Sequence, residues 1–232
     1  MGILYIVATP IGNLEDASKR ALRILSEVDL ILCEDTRVTQ KILNFYNIKT
    51  PTLSYHQHSK LKKIDYILGL LKQGKNLALV SDAGTPGISD PGNKLIDQLV
   101  NCSIGQLKIV PIPGSSALTA AASISGFPMD KFLFLGFPPQ KKKRKKFFEK
   151  ILQSEYPVIF YESPYRIIKT LKELLTLTTN NQQLTTKVVV CRELTKKFET
   201  IYRGTIREVI EKLEKDKIKG EFVIIVEADK RR

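Results

Sequence analysis

Two adjacent carboxylates and a guanidinium, Glu34-Asp35-Thr36-Arg37, follow the short apolar run at residues 30–33. Such a group suits polar contacts to a substrate or the removal of a proton, with Glu34 and Asp35 as candidate bases and Arg37 as a holder of phosphate through its fork of donors. The same spacing equally serves a solvated helix cap with an internal ion pair. Three further loops also follow apolar runs. Ala8-Thr9-Pro10-Ile11-Gly12-Asn13 has the proline and glycine of a tight turn but lacks the three glycines of a dinucleotide fingerprint. In residues 81–92, Ser81-Asp82-Ala83-Gly84-Thr85-Pro86-Gly87-Ile88-Ser89-Asp90-Pro91-Gly92, only Ile88 is large. Such a loop has little packing value; its glycines let backbone groups approach a ligand, and Asp82 offers a carboxylate to hydroxyl or amino groups. Gly114-Ser115-Ser116-Ala117 reads as a capped helix start, either a plain cap or a donor of amides to an anion.

The remaining polar motifs are of other kinds. Lys141, Lys142, Lys143, Arg144, Lys145 and Lys146 are six consecutive basic residues. Like charges this dense repel one another, and a polyanion relieves the repulsion, so the run is a candidate contact for RNA phosphates. His56 and His58 would share one side of an extended segment, but two histidines with no third ligand nearby make a weak zinc motif, and no metal is expected.

The elements that must position these loops alternate. Apolar runs at residues 3–8, 30–33, 77–80 and 107–112 read as buried strands. Between them lie helical patterns carrying Ala17, Ala21, Leu25 and Val28 (capped by Asp16), then Val38, Ile42 and Phe45, then Leu61, Ile64, Leu68 and Leu71 with Gly74 at the C-cap, then Leu95, Leu99 and Val100 behind Pro91. The rhythm continues with strands at 132–135, 158–161, 188–191 and 222–226, and helices at 115–125, 166–175 and 206–213. Residues 200–203 alternate in polarity, as an antiparallel edge strand does. Fully apolar strands separated by helices predict an α/β fold with mostly parallel sheets covered on both faces. A lobe boundary falls near Gly114, dividing the chain into 1–114 and 115–232, and ligands in such folds bind beyond the carboxyl ends of strands.

Charge separates the two halves. Of 37 basic and 24 acidic residues in a chain of 232, 13 basic and 10 acidic lie through Pro113, and 24 basic and 14 acidic follow. The net charge is therefore +3 against +10, and a basic second half attracts phosphate polymers. Cys33, Cys102 and Cys191 are odd in number and far apart, against a disulfide framework and in favour of a reducing, cytoplasmic setting. The N-terminus does not read as a signal peptide, and no apolar run approaches the ~20 residues of a membrane span.

In order along the chain, residues 4–14 (Leu4-Tyr5-Ile6-Val7-Ala8-Thr9-Pro10-Ile11-Gly12-Asn13-Leu14), Cys33-Glu34-Asp35-Thr36-Arg37, the 81–92 loop, residues 111–117, Glu162-Ser163-Pro164-Tyr165-Arg166 and Arg192-Glu193-Leu194-Thr195-Lys196 together resemble the tetrapyrrole-methylase superfamily (class III methyltransferases). Within it they are most similar to the branch that methylates a ribose 2′-hydroxyl of small-subunit ribosomal RNA. The resemblance implies a homodimer of two αβα lobes with S-adenosylmethionine folded into the cleft between them. It implies cofactor contacts at Ile11, Asp82, Ala83, Thr85, Ser115, Ser116 and Ala117, and further ones at Tyr161, Leu194 and Glu221. The acceptor it implies is a cytidine ribose in the decoding region of 16S rRNA. Some relatives carry a small C-terminal helical module; here the 141–146 run and Lys230-Arg231-Arg232 would supply RNA grip instead. Two other readings are a small-molecule methyltransferase acting on a tetrapyrrole, which has no need of a lysine run, and a non-catalytic RNA-binding assembly protein, which has no need of the 81–92 loop.

Overall fold

The computed structural model describes residues 1–56, 61–103, 107–180 and 185–228; His58, part of the weak zinc motif, and the basic tail 230–232 lie outside the described residues. The chain divides into two compact units, Met1–Ser116 and Ala117–Arg232.

The first unit is a parallel sheet of β1 (Ile3–Val7), β2 (Leu30–Cys33), β3 (Thr52–Ser54), β4 (Leu77–Leu79) and β5 (Lys108–Ile112), in the order β3-β2-β4-β1-β5. Successive strand residues point to opposite faces, so Ile31 and Cys33 join one core and Leu32 the other, while Ala78 and its neighbours Leu77 and Leu79 divide the same way. On one face α1 (Lys19–Glu27) and α2 (Thr36–Phe45) bring Ala21, Ile24, Leu25 and Leu43; on the other α3 (Leu61–Lys72) and α4 (Asn93–Ser103) bring Ile64, Ile67, Leu71, Leu95 and Leu99. Burying both faces requires strands that are apolar throughout, as the inner strands β2, β4 and β1 are; β3 and β5, at the edges, carry Thr52, Ser54 and Lys108.

Three local details differ from the sequence reading. Asp16 does not cap α1: it ends a short 3-10 turn, Leu14–Asp16, and Ser18 caps instead, its side chain accepting from the Ala21 amide at 3.0 Å. In α2 the pair Ile42 and Leu43 faces the core, which leaves Phe45, two residues or about 200° further round, 60% exposed. Val100, one residue past Leu99, is turned out of α4 in the same manner.

The second unit has the order β6-β7-β10-β8-β9, from β6 (Leu133–Phe134), β7 (Val158–Glu162), β8 (Lys187–Arg192), β9 (Thr200–Thr205) and β10 (Phe222–Val226). Only β6 and β7 pair in parallel; β10 runs antiparallel to both β7 and β8, and β9 antiparallel to β8 at the edge. The expectation of a mostly parallel sheet thus holds for the first unit and not for this one. Strands β7 and β8, joined through α7 (Ile167–Asn180), leave one vacant slot between them, and the last strand fills it in the opposite direction. One face is packed by α6 (Arg144–Leu152), α7 and α8 (Ile206–Glu214) through Phe148, Ile151, Leu171, Leu174, Val209 and Leu213. The small-residue helix α5 (Ala117–Ile124) carries the buried pair Ala121 and Ala122. A capping box sets the start of α8: Thr205 and Glu208 exchange backbone-to-side-chain bonds of 2.7 and 3.4 Å.

Candidate functional site

In the first unit the loops after β1, β4 and β5 are tied together by backbone and small hydroxyl groups. Thr9 and Gly84 exchange both main-chain bonds, N–H to carbonyl at 2.9 and 3.0 Å. The Thr9 hydroxyl donates to the Ser81 carbonyl at 3.2 Å, and the Thr85 hydroxyl donates to the Ser115 carbonyl at 3.2 Å. The Ser115 hydroxyl reaches the Asp16 carbonyl at 3.3 Å. Glycine suits two positions in these loops, one through its backbone conformation and one through close approach. Gly84 has φ +82°, and a Cβ there would lie 3.4 Å from Ile11 Cγ2; a Cβ on Gly114 would lie 3.0 Å from the Ala8 methyl. Ile11, Asp82, Ala83, Thr85, Ser115 and Ser116 therefore belong to one stitched surface of the first unit, with Ile11 buried and Ala83 exposed. Thr9 and Ser81, which the sequence reading passed over as loop residues, are its ties. Each is an ordinary polar residue after a strand, and only the fold shows what it bonds.

Strand β2 adds charge to the same edge. The Asp35 amide donates to Asp82 Oδ1 at 3.1 Å, so the second and fourth strand ends meet. Asp35 caps α2, accepting from the Arg37 amide at 2.8 Å, and the Arg37 side chain grips the same carboxylate through Nε at 3.0 Å and Nη2 at 2.6 Å. That grip holds the Asp35 carboxyl down at about 2. Glu34 shifts the other way: partial burial, and then the neighbouring charge of Asp82, push its carboxyl above the ordinary range, against the pull of His56. The Arg37 side chain remains 87% exposed even while paired.

In the second unit, Tyr161, Leu194 and Glu221 lie toward the same end of the sheet. Phe222 is in register with Glu162 of β7 and Arg192 of β8, which places Glu221 beside the residues that end those strands. The Glu193 amide donates to the Glu221 carbonyl and the Glu221 amide to Glu193 Oε1, each at 3.0 Å, while Lys196 Nζ bonds both carboxylates at 2.9 and 2.8 Å. Leu194 sits buried between two residues of positive φ, Glu193 at 52° and Thr195 at 65°. Non-glycine residues held in that region are costly and mark places where the fold dictates backbone shape. The Tyr161 ring stacks edge-on with Phe134 and Phe137, at 5.0 and 5.4 Å between centroids. Ala117 is the first residue of α5.

The basic run does not present six equal charges. Lys141, Lys142, Lys143, Lys145 and Lys146 are exposed, but Arg144 is turned inward. Its guanidinium donates to Glu173 Oε2 at 2.7 Å, to the Thr170 hydroxyl at 2.6 Å and to the Pro139 carbonyl at 3.0 Å, and lies 4.9 Å over the Phe148 ring. Arg144 is thus removed from the phosphate-facing set: a guanidinium only 8% exposed and bonded inward through all three nitrogens is not presented to a polyanion. Its inward turn follows helical spacing, because Arg144 stands one turn before Phe148 on the inner face of α6.

A profile of the tetrapyrrole (corrin/porphyrin) methylases matches residues 3–210. The chain is 44% identical over 226 residues to the "Ribosomal RNA small subunit methyltransferase I" of Thermotoga maritima, spanning 97% of this chain and 98% of that one. It is 46% identical to the protein of the same name from Bacillus subtilis, spanning 98% of this chain and 75% of that one. This chain belongs to the tetrapyrrole methylase family. Among solved structures, the methyltransferase CobJ superposes over 100% of this chain and 96% of its own with TM-score 0.71 at 16% identity. The cobalt-precorrin-4 methyltransferase CbiF superposes over 97% and 94% with TM-score 0.70 at 19% identity. At such identities the likeness is one of fold.

As a tetrapyrrole methylase the protein is a methyltransferase whose methyl donor is S-adenosylmethionine. The stitched loops of the first unit fit that donor chemically. Gly84 holds a positive φ that side chains rarely adopt, Gly114 leaves backbone where a Cβ would press on the Ala8 methyl, Asp82 can accept from hydroxyl or amino groups, and the Ser115-Ser116 segment leads into the amide end of a helix.

Proposed function

We propose that this protein transfers the methyl group of S-adenosylmethionine to a ribose 2′-hydroxyl of a cytidine in 16S rRNA of the small ribosomal subunit, acting as a homodimer. The observation that carries this reading is the near full-length identity to two proteins named as small-subunit rRNA methyltransferases, together with the paired acids at the edge of the stitched loops. In this reading Ile11, Asp82, Ala83, Thr85, Ser115, Ser116 and Ala117 hold the donor, with Tyr161, Leu194 and Glu221 contributing from the second unit. The bound donor supplies an electrophilic sulfonium methyl. The protein's own tasks are to hold the ribose oxygen in line with it, at roughly 3–3.5 Å, and to take its proton.

Glu34 is the better of the two acids for that proton. A carboxyl raised above its ordinary range binds a proton more readily than Asp35, which Arg37 holds ionised. Asp35 in turn fixes the start of α2 and the orientation of Arg37, whose exposed guanidinium faces a flanking phosphate in this reading. Lys141, Lys142, Lys143, Lys145 and Lys146 add sequence-independent attraction for the RNA backbone.

The decisive experiment maps ribose-methylated nucleotides in rRNA from cells with and without this protein, and repeats the transfer with purified protein on small subunits and on a corrinoid precursor. A cytidine 2′-O-methyl mark that disappears and is restored on the subunit supports the reading. An unaltered rRNA map, or transfer to the corrinoid alone, overturns it.

A further inference from the structure

The second unit places exposed aromatic rings and lysines on one sheet edge. Strands β6 and β7 pair in parallel, so the segments that follow them leave the sheet on the same side. After β6 come Phe137, 54% exposed, and then the exposed Lys141, Lys142 and Lys143; after β7 comes the turn carrying Tyr165, which is 95% exposed. A tyrosine ring this bare contributes nothing to the core and leaves a flat face in water.

The two segments are locked to each other from beneath. Arg144 donates to the Pro139 carbonyl of the first, and to Thr170 at the start of α7, just beyond the second. Thr170 in turn donates to Glu162 Oε2 at 2.6 Å, and Glu162 Oε1 receives Arg166 Nη2 at 2.8 Å and the Ser163 amide at 2.8 Å. Glu162 is 2% exposed, so this is a buried anchor and not a surface pair. Aromatic faces beside a cationic stretch, both on a rigid base, are what unpaired bases and their phosphates require. Duplex RNA keeps its bases stacked inside and has no use for such faces.

We propose that Tyr165 and Phe137 are stacking faces for unpaired bases and that Lys141, Lys142 and Lys143 hold the adjoining phosphates, with Arg144 as the residue that positions both segments. This rests on the rRNA reading above and specifies the form of the substrate: single-stranded at the point of contact. Stacking and charge contribute separately and are separable by salt. Removing a ring weakens binding by about tenfold without altering the salt slope, whereas removing a phosphate-contacting lysine lowers that slope by about 0.7.

The test is fluorescence anisotropy of the full chain with a labelled single-stranded oligocytidylate and with a hairpin duplex, across a salt series. Tyr165→Ala and Phe137→Ala are expected to weaken single-strand binding about tenfold each at unchanged slope, Tyr165→Phe to bind as the native protein does, and the triple Lys141→Ala, Lys142→Ala, Lys143→Ala variant to flatten the slope. Circular dichroism confirms that each variant is folded; because the Phe137 ring packs on Tyr161, calorimetry with S-adenosylhomocysteine serves as a second check for the Tyr165 and lysine variants alone. Equal affinity for the duplex, or Tyr165→Ala binding like the native protein, overturns the proposal. So does a change of molecular mass in light scattering on Tyr165→Ala with RNA affinity kept, which would make the ring a contact between copies of this chain. Because the readout is binding and not methyl transfer, failure here leaves the rRNA assignment standing, and failure of the rRNA map leaves this measurement intact.

Discussion

Because Arg37 holds the Asp35 carboxylate while burial and Asp82 raise Glu34, replacing the two acids has different consequences. Glu34→Gln is expected to lower turnover by about 10²–10⁴-fold, the usual contribution of a positioned base, with affinity for S-adenosylmethionine unchanged by calorimetry. The native enzyme loses activity as pH falls through the raised Glu34 value, since only the ionised form accepts a proton. The acid limb of the pH–rate profile for single-turnover transfer therefore lies above the ordinary glutamate range, and a limb within that range would contradict the assignment. Asp35 is a matter of stability. Its folded value of about 2 is below the ordinary 3.8, so its contribution is fully present above 3.8 and is lost as pH falls toward 2. The melting temperature of Asp35→Ala will accordingly fall below that of the native protein at neutral pH, and the gap will close as the pH approaches 2.

At the scale of elements, two short segments are fixed by backbone geometry and by burial. Gly84 sits at φ +82° with both its main-chain groups bonded to Thr9. Gly84→Ala adds strain at positive φ and is expected to cost more than about 1 kcal/mol, with weakened cofactor binding in calorimetry; a neutral effect would mean that the loops are not rigidly joined. Arg144 belongs to a buried network around Glu162. Arg144→Ala leaves that carboxylate without part of its support and is expected to destabilise the fold by about 3–5 kcal/mol, as breaking a buried pair does, measured by urea unfolding. The surface reading of Arg144 instead expects no loss of stability and a change in RNA binding alone.

For the whole molecule, the excess of positive charge in the second half is the property a long polyanion meets first. Substituting alanine at Lys141, Lys142, Lys143, Lys145 and Lys146 together will slow RNA association and flatten its dependence on salt, because fewer counterions are displaced. Affinity for S-adenosylhomocysteine will stay the same. A salt slope equal to the native one would show that the RNA is gripped elsewhere.

Most strands and helices, and the positions of the special loops, were legible in the sequence; the short strand β3, Thr52-Leu53-Ser54 with one apolar residue, and helix α6, which begins inside the basic run, were not. Continuous apolar runs have to be buried on both faces, and glycines such as Gly84 and Gly114 serve positive φ or close approach. It also carried the edge strand β9, whose alternating polarity reports one exposed face. Strand direction was not legible: Phe222–Val226 is buried at every position, and a strand apolar on both faces reads the same whichever way it runs. The antiparallel course of β10 is set by its pairing between β7 and β8. That course delivers Glu221, at its start, to the end of the sheet where Tyr161 and Leu194 lie; a parallel β10 would have put it at the opposite end of the sheet. The inward Arg144 is the same lesson in charge. Residue type is identical in effect along six basic positions, and it was helical phase, with Glu162, Thr170 and Glu173 waiting on neighbouring elements, that took one of them out of water.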